Sequence, residues 1–466
     1  MIRRTVIPIF LALLMGCDYA TVPPTPHLPP TITPASSGAP SPTVTKTVPT
    51  ATVVVAPTAT TRPAIATPRL DTAVPLTQSI RQNCLEVSPT LPVSLEIEGW
   101  IVLNGFKHAS TSHYLLEPAT GATRDLPVWA AGAEVRSEQV SPDARWLAYR
   151  DETYSSPGVL GASSLIVVDA NGLVAASIPW DDSWRHIAGW LDNERLLISR
   201  MQGGDNYDSI LVFDPFRASR LNELASDFPG IYASYPDPNW GWFDASKTIY
   251  DVDLSRVVYP GLVDQRGESQ LFLRDLQTNQ SILVITGTLS FGVVPQWSPD
   301  GKRFVISGPS TLLSANPEPD PLGEHQELFT VTRDGVVTQI TNLNQYYSYV
   351  NFDAYAWSPD GRYIAFSLRA LPSTYPDLYS TTEPDMYGRL VVLDMATGDI
   401  TDYCLPHGET RTAPIWSPSG QQLVFEDYYR SQPPVRSKVY LVDLTAQIAA
   451  VIADDVTPVG WLAGVP

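Results

Sequence analysis

Trp297-Ser298-Pro299-Asp300-Gly301 runs directly into Lys302-Arg303-Phe304-Val305-Ile306-Ser307. The pattern returns as Trp357-Ser358-Pro359-Asp360-Gly361 before Arg362-Tyr363-Ile364-Ala365-Phe366, and as Trp416-Ser417-Pro418-Ser419-Gly420 before Gln421-Gln422-Leu423-Val424-Phe425. Proline presets φ at the second turn position, aspartate tolerates the third, and glycine takes positive φ without steric cost. Each copy is therefore a tight reversal followed by a strand. Weaker copies lie at Val140-Ser141-Pro142-Asp143-Ala144, Trp190-Leu191-Asp192-Asn193-Glu194, Tyr250-Asp251-Val252-Asp253-Leu254 and Gly460-Trp461-Leu462. Lead positions 140, 190, 250, 297, 357, 416 and 461 make one supersecondary unit that recurs with loops of varying length.

Each unit also contains a later strand that ends at or near an aspartate, such as Leu165-Ile166-Val167-Val168-Asp169, Leu271-Phe272-Leu273-Arg274-Asp275 and Leu390-Val391-Val392-Leu393-Asp394, with a turn after it. Four short antiparallel strands per unit, with no helical period between them, predict an all-β protein, a β-propeller. Residues 133–180, 184–225, 240–287, 291–342, 351–403 and 411–455 supply six blades. The closing blade is expected to be composite, three strands from 99–128 joined by a strand returning from 457–465. Seven four-stranded blades is the reading, with six or eight as alternatives. The lead tryptophans are expected in the core between blades, and the strand-ending aspartates are expected to bind backbone N–H groups of the following turns.

These residues resemble the TolB-type, WD40-like propeller repeats, which also occur in the propeller domains of dipeptidyl-peptidase-type serine enzymes. The resemblance covers most of residues 99–466 and is specific in three copies. It implies the scaffold without a hydrolase: no Gly-x-Ser-x-Gly elbow occurs in the sequence. The α/β domain that precedes the propeller in TolB would not fit in residues 81–98.

Arg3 and Arg4 precede an apolar run from Val6 to Met15, too short to span a bilayer as a helix. The run ends in Leu14-Met15-Gly16-Cys17, which resembles the lipobox of bacterial lipoproteins. That reading makes residues 1–16 a signal peptide and Cys17 the lipidated first residue of a membrane-anchored, extracytoplasmic protein of the cell envelope. Residues 17–80 read as a disordered Thr/Pro-rich tether, since such a composition buries too little apolar surface to offset its ordering entropy. Residues 81–466 are left as the propeller domain. Cys84 and Cys404 remain, and two arrangements are open, a disulfide or two separate buried thiols.

The net charge of −19 excludes nucleic acid as a natural partner, because phosphate binding requires a basic surface. Among the six histidines, only His108 and His113 lie close together, and no Cys/His cluster accompanies them, so no metal and no cofactor is expected. Length variation gathers in the second-to-third strand and blade-to-blade loops, which share one face of a propeller. Those loops carry Tyr207; Tyr232, Tyr235, Trp240 and Trp242; Tyr346, Tyr347, Tyr349 and Asp353; Tyr375, Tyr379, Asp385 and Tyr387; and Tyr428 and Tyr429. Tyrosine and tryptophan provide rigid contact area with a polar edge, which suits a protein, peptide or glycan partner. The leading expectation is a non-enzymatic surface binding or scaffold module. The alternative is a glycosidase or polysaccharide lyase with paired carboxylates at the channel mouth.

Overall fold

A computed structural model describes residues 65–66, 69–70, 79–88, 91, 97–107, 110–126, 134–156, 159–201, 207–225, 249–260, 270–286, 295–313, 325–372, 388–407, 413–429 and 436–464. The chain divides into two units, Met1–Thr60 and Thr61–Pro466, and every described residue lies in the second. The signal peptide and Cys17 fall outside the described residues.

Four short strands come first: β1 (Ile65–Ala66), β2 (Arg69–Leu70), β3 (Ser79–Gln82) and β4 (Val87–Ser88). Blade 1 follows with β5 (Trp100–Lys107), β6 (Ser110–Glu117) and β7 (Ala122–Asp125). Blade 2 is β8 (Glu134–Val140), β9 (Leu147–Ser156), β10 (Val159–Val168) and β11 (Val174–Pro179). Blade 3 is β12 (Trp184–Trp190), β13 (Leu196–Met201), β14 (Tyr207–Asp214) and β15 (Ser219–Ala225). Blade 4 is β16 (Ile249–Tyr250), β17 (Arg256–Pro260), β18 (Gln270–Asp275) and β19 (Ser281–Thr286). Blade 5 is β20 (Gln296–Trp297), β21 (Arg303–Pro309), β22 (Gln326–Thr332) and β23 (Val336–Gln339). Blade 6 is β24 (Tyr347–Trp357), β25 (Tyr363–Pro372), β26 (Gly388–Asp394) and β27 (Asp399–His407). Blade 7 is β28 (Ile415–Trp416), β29 (Gln422–Tyr429), β30 (Arg436–Asp443) and β31 (Ile448–Asp454).

The last strand, β32 (Val456–Leu462), returns to blade 1 and pairs antiparallel with β5, Trp461 opposite Ile101. The ring is thus a seven-bladed propeller with the composite closing blade expected from the repeat. A methyl group added at Gly460 would run into Val140 of blade 2, so this closing strand needs a residue without a side chain there.

The core lies between blades. Alternation along each strand sends side chains to both faces of a blade, and each face packs on a neighbour. One apolar cluster joins Val102, Leu115 and Leu462 of blade 1 to Leu147, Tyr149 and Ile166 of blade 2. Another closes the circle, joining Val424, Val439 and Leu441 of blade 7 to Ile101, Leu103 and Trp461 of blade 1. The lead tryptophans sit at these joints. The Trp357 indole donates to the Gln296 carbonyl at 3.2 Å and the Trp416 indole to Ala356 at 3.1 Å, each reaching the preceding blade's first strand. Trp190 does the same to Gln139 at 2.9 Å, and Trp357 and Trp416 are buried.

The turns follow one hydrogen-bond scheme. Ser298 Oγ donates to Asp300 at 2.6 Å while Ser298 N reaches the Arg303 carbonyl at 2.8 Å, and Gly301 takes φ +65°. Ser358 and Asp360 repeat it at 2.6 Å, and Ser141 and Asp143 at 2.7 Å. Ala144 occupies the glycine position of the weaker copy at φ +59°, a conformation costly for a side-chain-bearing residue. The strand-ending aspartates cap the other turns of this end. Asp169 accepts from Asn171 N and Leu173 N at 2.8 Å, and Asp443 from Thr445 N at 2.9 Å and Ala446 N at 2.7 Å.

The described residues from Ile65 to Ser88, which begin inside the segment read as tether (17–80) and continue into the propeller domain, lie along the ring. Within Ile65 to Ser88, β1 pairs with β19, β2 with β23, β3 with β27 and β4 with β31, every pairing parallel. Blades 4 to 7 thereby gain a fifth, outermost strand. The free N–H and C=O row of an outer blade strand accepts such an addition, and on an edge strand proline is tolerated. Cys84 and Cys404 form a disulfide with Cα atoms 4.7 Å apart, which fixes this outer segment to blade 6. Asn83 N and Leu85 N flank it, donating to the Asp402 and Tyr403 carbonyls at 2.8 and 3.2 Å. In the chain-entropy account a bridge over so long a loop contributes up to about 5 kcal/mol.

Candidate functional site

The end of the propeller opposite the repeated turns holds acids with individual partners, and the best defined of them is Glu327. It stands near the start of β22, fully buried, beside the crossover from blade 5 to blade 6. Its carboxylate accepts Thr341 Oγ1 at 2.5 Å, Leu343 N at 3.0 Å, and both Asn344 N and Asn344 Nδ2 at 2.8 Å. Burial raises its pKa above the ordinary 4.5, although these donors pull the other way. The crossover they hold is a single 3-10 turn, Leu343–Gln345, with Leu343 driven into the core. Asn344 Nδ2 also reaches the Gln326 carbonyl at 3.1 Å, and Thr341 Oγ1 accepts from Leu328 N at 2.8 Å.

This braced turn presents Tyr346. Its N–H closes the turn on the Leu343 carbonyl at 2.8 Å, while the residue is 40% exposed, one of few large hydrophobic residues so open among those described. Tyr347 turns the other way, packs half-buried against the blade 5/6 cluster, and has its phenol pKa raised by burial, with Arg389 opposing that shift. Arg389 pairs with the buried Asp402 at 2.9 Å. Tyr349 is half-buried opposite Leu371. One aromatic is thus offered to solvent by a rigid base, and its neighbours belong to that base.

The loop expected to carry Tyr346, Tyr347, Tyr349 and Asp353 is shorter than its sequence implied. Tyr347, Tyr349 and Asp353 are residues of the eleven-residue strand β24, and Asp353 falls where its register with β25 shifts. Alternating β-prone residues extend the strand and leave the crossover only a few residues long. Tyr207 begins β14 opposite Met201, and Tyr428 and Tyr429 end β29 opposite Ser437 and Arg436, so all three are strand residues at the loop-rich end. Tyr232, Tyr235, Trp240, Trp242, Tyr375, Tyr379, Asp385 and Tyr387 lie outside the described residues.

Other buried acids at this end are engaged as well. Glu152 meets Arg150 at 2.8 Å, Glu426 accepts from Thr457 Oγ1 at 3.1 Å, and His113 of blade 1 contacts Glu138 of blade 2. Among the described residues no group of three or more His, Cys, Asp or Glu is arranged to hold a metal ion. Glu327, Arg389 and Asp402 carry no sequence motif. The one signal was a charged residue at an inward position of an apolar strand, Gln326-Glu327-Leu328-Phe329.

No family model matches the sequence, and no curated protein does either. Solved structures are similar in chain trace. TolB from Acinetobacter baumannii shares 14% identity over 78% of this chain and 66% of its own, with a TM-score of 0.37. An oligogalacturonate lyase in complex with manganese shares 11% over 75% and 83%, with a TM-score of 0.43. The β-propeller domain of the trilobed protease from Pyrococcus furiosus shares 12% over 77% and 99%, with a TM-score of 0.44. Likenesses at this level assign no activity to the present chain.

Proposed function

We propose that this protein is a non-enzymatic binding module of the cell envelope, anchored through a lipidated Cys17, whose loop-rich face recognises a protein, peptide or glycan partner. The observation that carries the reading is Tyr346: an exposed phenol on a turn braced by a buried carboxylate is preorganised contact area, and a rigid aromatic anchor loses little entropy on binding. The polar edge of the ring suits a hydroxyl or amide partner. Tyr207 begins β14 of blade 3 and Tyr428 and Tyr429 end β29 of blade 7 at the same end of the propeller.

The test is in-cell photo-crosslinking and recovery, comparing the intact protein with Tyr346→Ala. A protein or glycan captured by the intact form and lost from the variant supports the reading. Equal capture by both moves the contact surface elsewhere. Membrane attachment is read separately: Cys17→Ser should leave the detergent phase on phase partitioning, and continued partitioning there removes the lipid anchor from the proposal.

A further inference from the structure

The chain touches the ring before it starts to build it. Building starts at Trp100 with β5, in the closing blade, where the partner strand β32 comes from the other end of the sequence. The approach to Trp100 is fitted closely to that partner. Trp461 Nε1 donates to the Glu98 carbonyl at 3.0 Å, Ile97 is buried in the blade 7/1 cluster, and a methyl group added at Gly99 would run into the Leu462 carbonyl. A pull on residues 97–99 would therefore act on the end pair of the closing ladder, Trp100 opposite Leu462, and open it one pair at a time.

The earlier contact lies between that junction and anything that pulls from the N-terminal side. β3 runs parallel to β27 of blade 6 from Ser79 opposite Asp399 to Gln82 opposite Asp402. Arg81 and Ser79 both reach the Asp399 carboxylate, at 3.2 and 2.7 Å, and Ile80 and Leu85 pack on the blade 5/6 and 6/7 clusters. Cys84 then joins Cys404 covalently. The receiving strand is well seated: Tyr403 and Leu405, on either side of Cys404, are buried in the blade 6/7 cluster. Cys404 itself takes φ +54°, with its N–H donating to Asp402 Oδ1 at 2.8 Å, so a residue with a side chain is held in the left-handed region beside the incoming segment. Past the bridge the pairing thins to Val87 and Ser88 against Ala449 and Ala450 of β31.

We propose that the segment from Ser79 to Cys84 and its bridge to Cys404 form a mechanical bypass. Tension arriving along the chain from its N-terminal side passes through the disulfide into blade 6 and does not reach Trp100. The inference rests on the anchored reading above, since a held N-terminus is what puts the chain under tension. Hydrogen-bonded pairs yield at forces that leave a covalent bond intact, so residues 85–99 stay unloaded while the bridge holds. Without the bridge, the same tension runs on to β5 and the closing blade.

The test is a force-clamp measurement on the full chain carrying Cys17→Ser, with handles attached through non-cysteine click residues. In one geometry the handles stand at positions 60 and 194, and load enters through the outer segment. In the other they stand at 194 and 421, where Glu194 and Gln421 are exposed turn residues of blades 3 and 7, and the outer segment carries no load. Counting free thiols beforehand verifies the bridge. The lifetime of the ring, timed after the outer strands have come away, reads the rate of forced unfolding. Cys84→Ser/Cys404→Ser should shorten it about tenfold or more in the first geometry and no more than about twofold in the second. A bridge that only stabilises the fold would shorten both alike, and that result overturns the proposal, as do equal lifetimes of bridged and unbridged protein in the first geometry. The handles stand in for the membrane, so failure of the bypass is read separately from failure of the lipid anchor, which detergent partitioning reports.

Discussion

The two ends of the propeller solve the same problem differently. At the turn end, Ser298 with Asp300, Ser358 with Asp360 and Ser141 with Asp143 repeat one arrangement at 2.6 to 2.7 Å. At the loop end, Glu327 is bound by Thr341, Leu343 and Asn344, Asp402 by Arg389, and Glu426 by Thr457. The repeated arrangement builds blades, and the individual ones shape single loops. Their protonation has opposite signs as well. The Ser298 hydroxyl leads the groups that hold the Asp300 pKa below its ordinary 3.8, whereas burial raises that of Glu327 above 4.5.

The strongest break of the shared frame is Trp357→Ala. It empties an interblade joint and leaves the Gln296 carbonyl without its indole partner, and roughly 3–5 kcal/mol of stability should be lost. Thermal unfolding measures this, and an unchanged melting curve would contradict the packing. Next comes Glu327→Ala, which strands several buried donors at the individual end and should cost roughly 2–4 kcal/mol. Its amide-exchange signature should be confined to the crossover at 340–347.

Acid titration sharpens the contrast. A carboxyl whose pKa is raised in the fold stabilises it fully below the unfolded value, and that contribution is lost as pH rises through the raised one. The deficit of Glu327→Gln relative to the intact protein should therefore grow as pH falls from 7 toward 4.5. Asp300 works in reverse, its contribution being present above 3.8 and lost as pH falls through the lowered value, so the deficit of Asp300→Asn should shrink there. Denaturant midpoints across pH would show both, and parallel curves would refute the distinction. The smallest effect belongs to Ala144→Gly. By relieving φ +59° at a turn position built for glycine, it should raise stability by about 0.5–1 kcal/mol.

The legible part of the fold was the part written locally. Trp-Ser-Pro-Asp-Gly specifies its turn within five residues, and the spacing of its copies yields the blade count and the returning strand at Trp461. The added strands were illegible because Ile65-Ala66 and Arg69-Leu70 are too short to show a period, and their partners lie more than 200 residues away in the chain. At the loop end, aromatic content pointed to the stretch containing Tyr346 and could not say that Tyr347 faces inward. That distinction depends on where Glu327 fixes the turn, and a lone glutamate in a strand has no pattern to announce it.

The bridge between Cys84 and Cys404 spans 320 positions, which gives it a temporal meaning. A growing polypeptide releases Cys84 early and must expose it, unmatched, until blade 6 has been made. The outer strands β1 and β2 likewise wait for blades 4 and 5. Contacts this distant in the chain are slow to find one another. Oxidation of this pair is therefore a late event that records the completion of blade 6, and the ratio of free to bridged thiol in a pulse-labelled sample would serve as a clock for that stage of assembly.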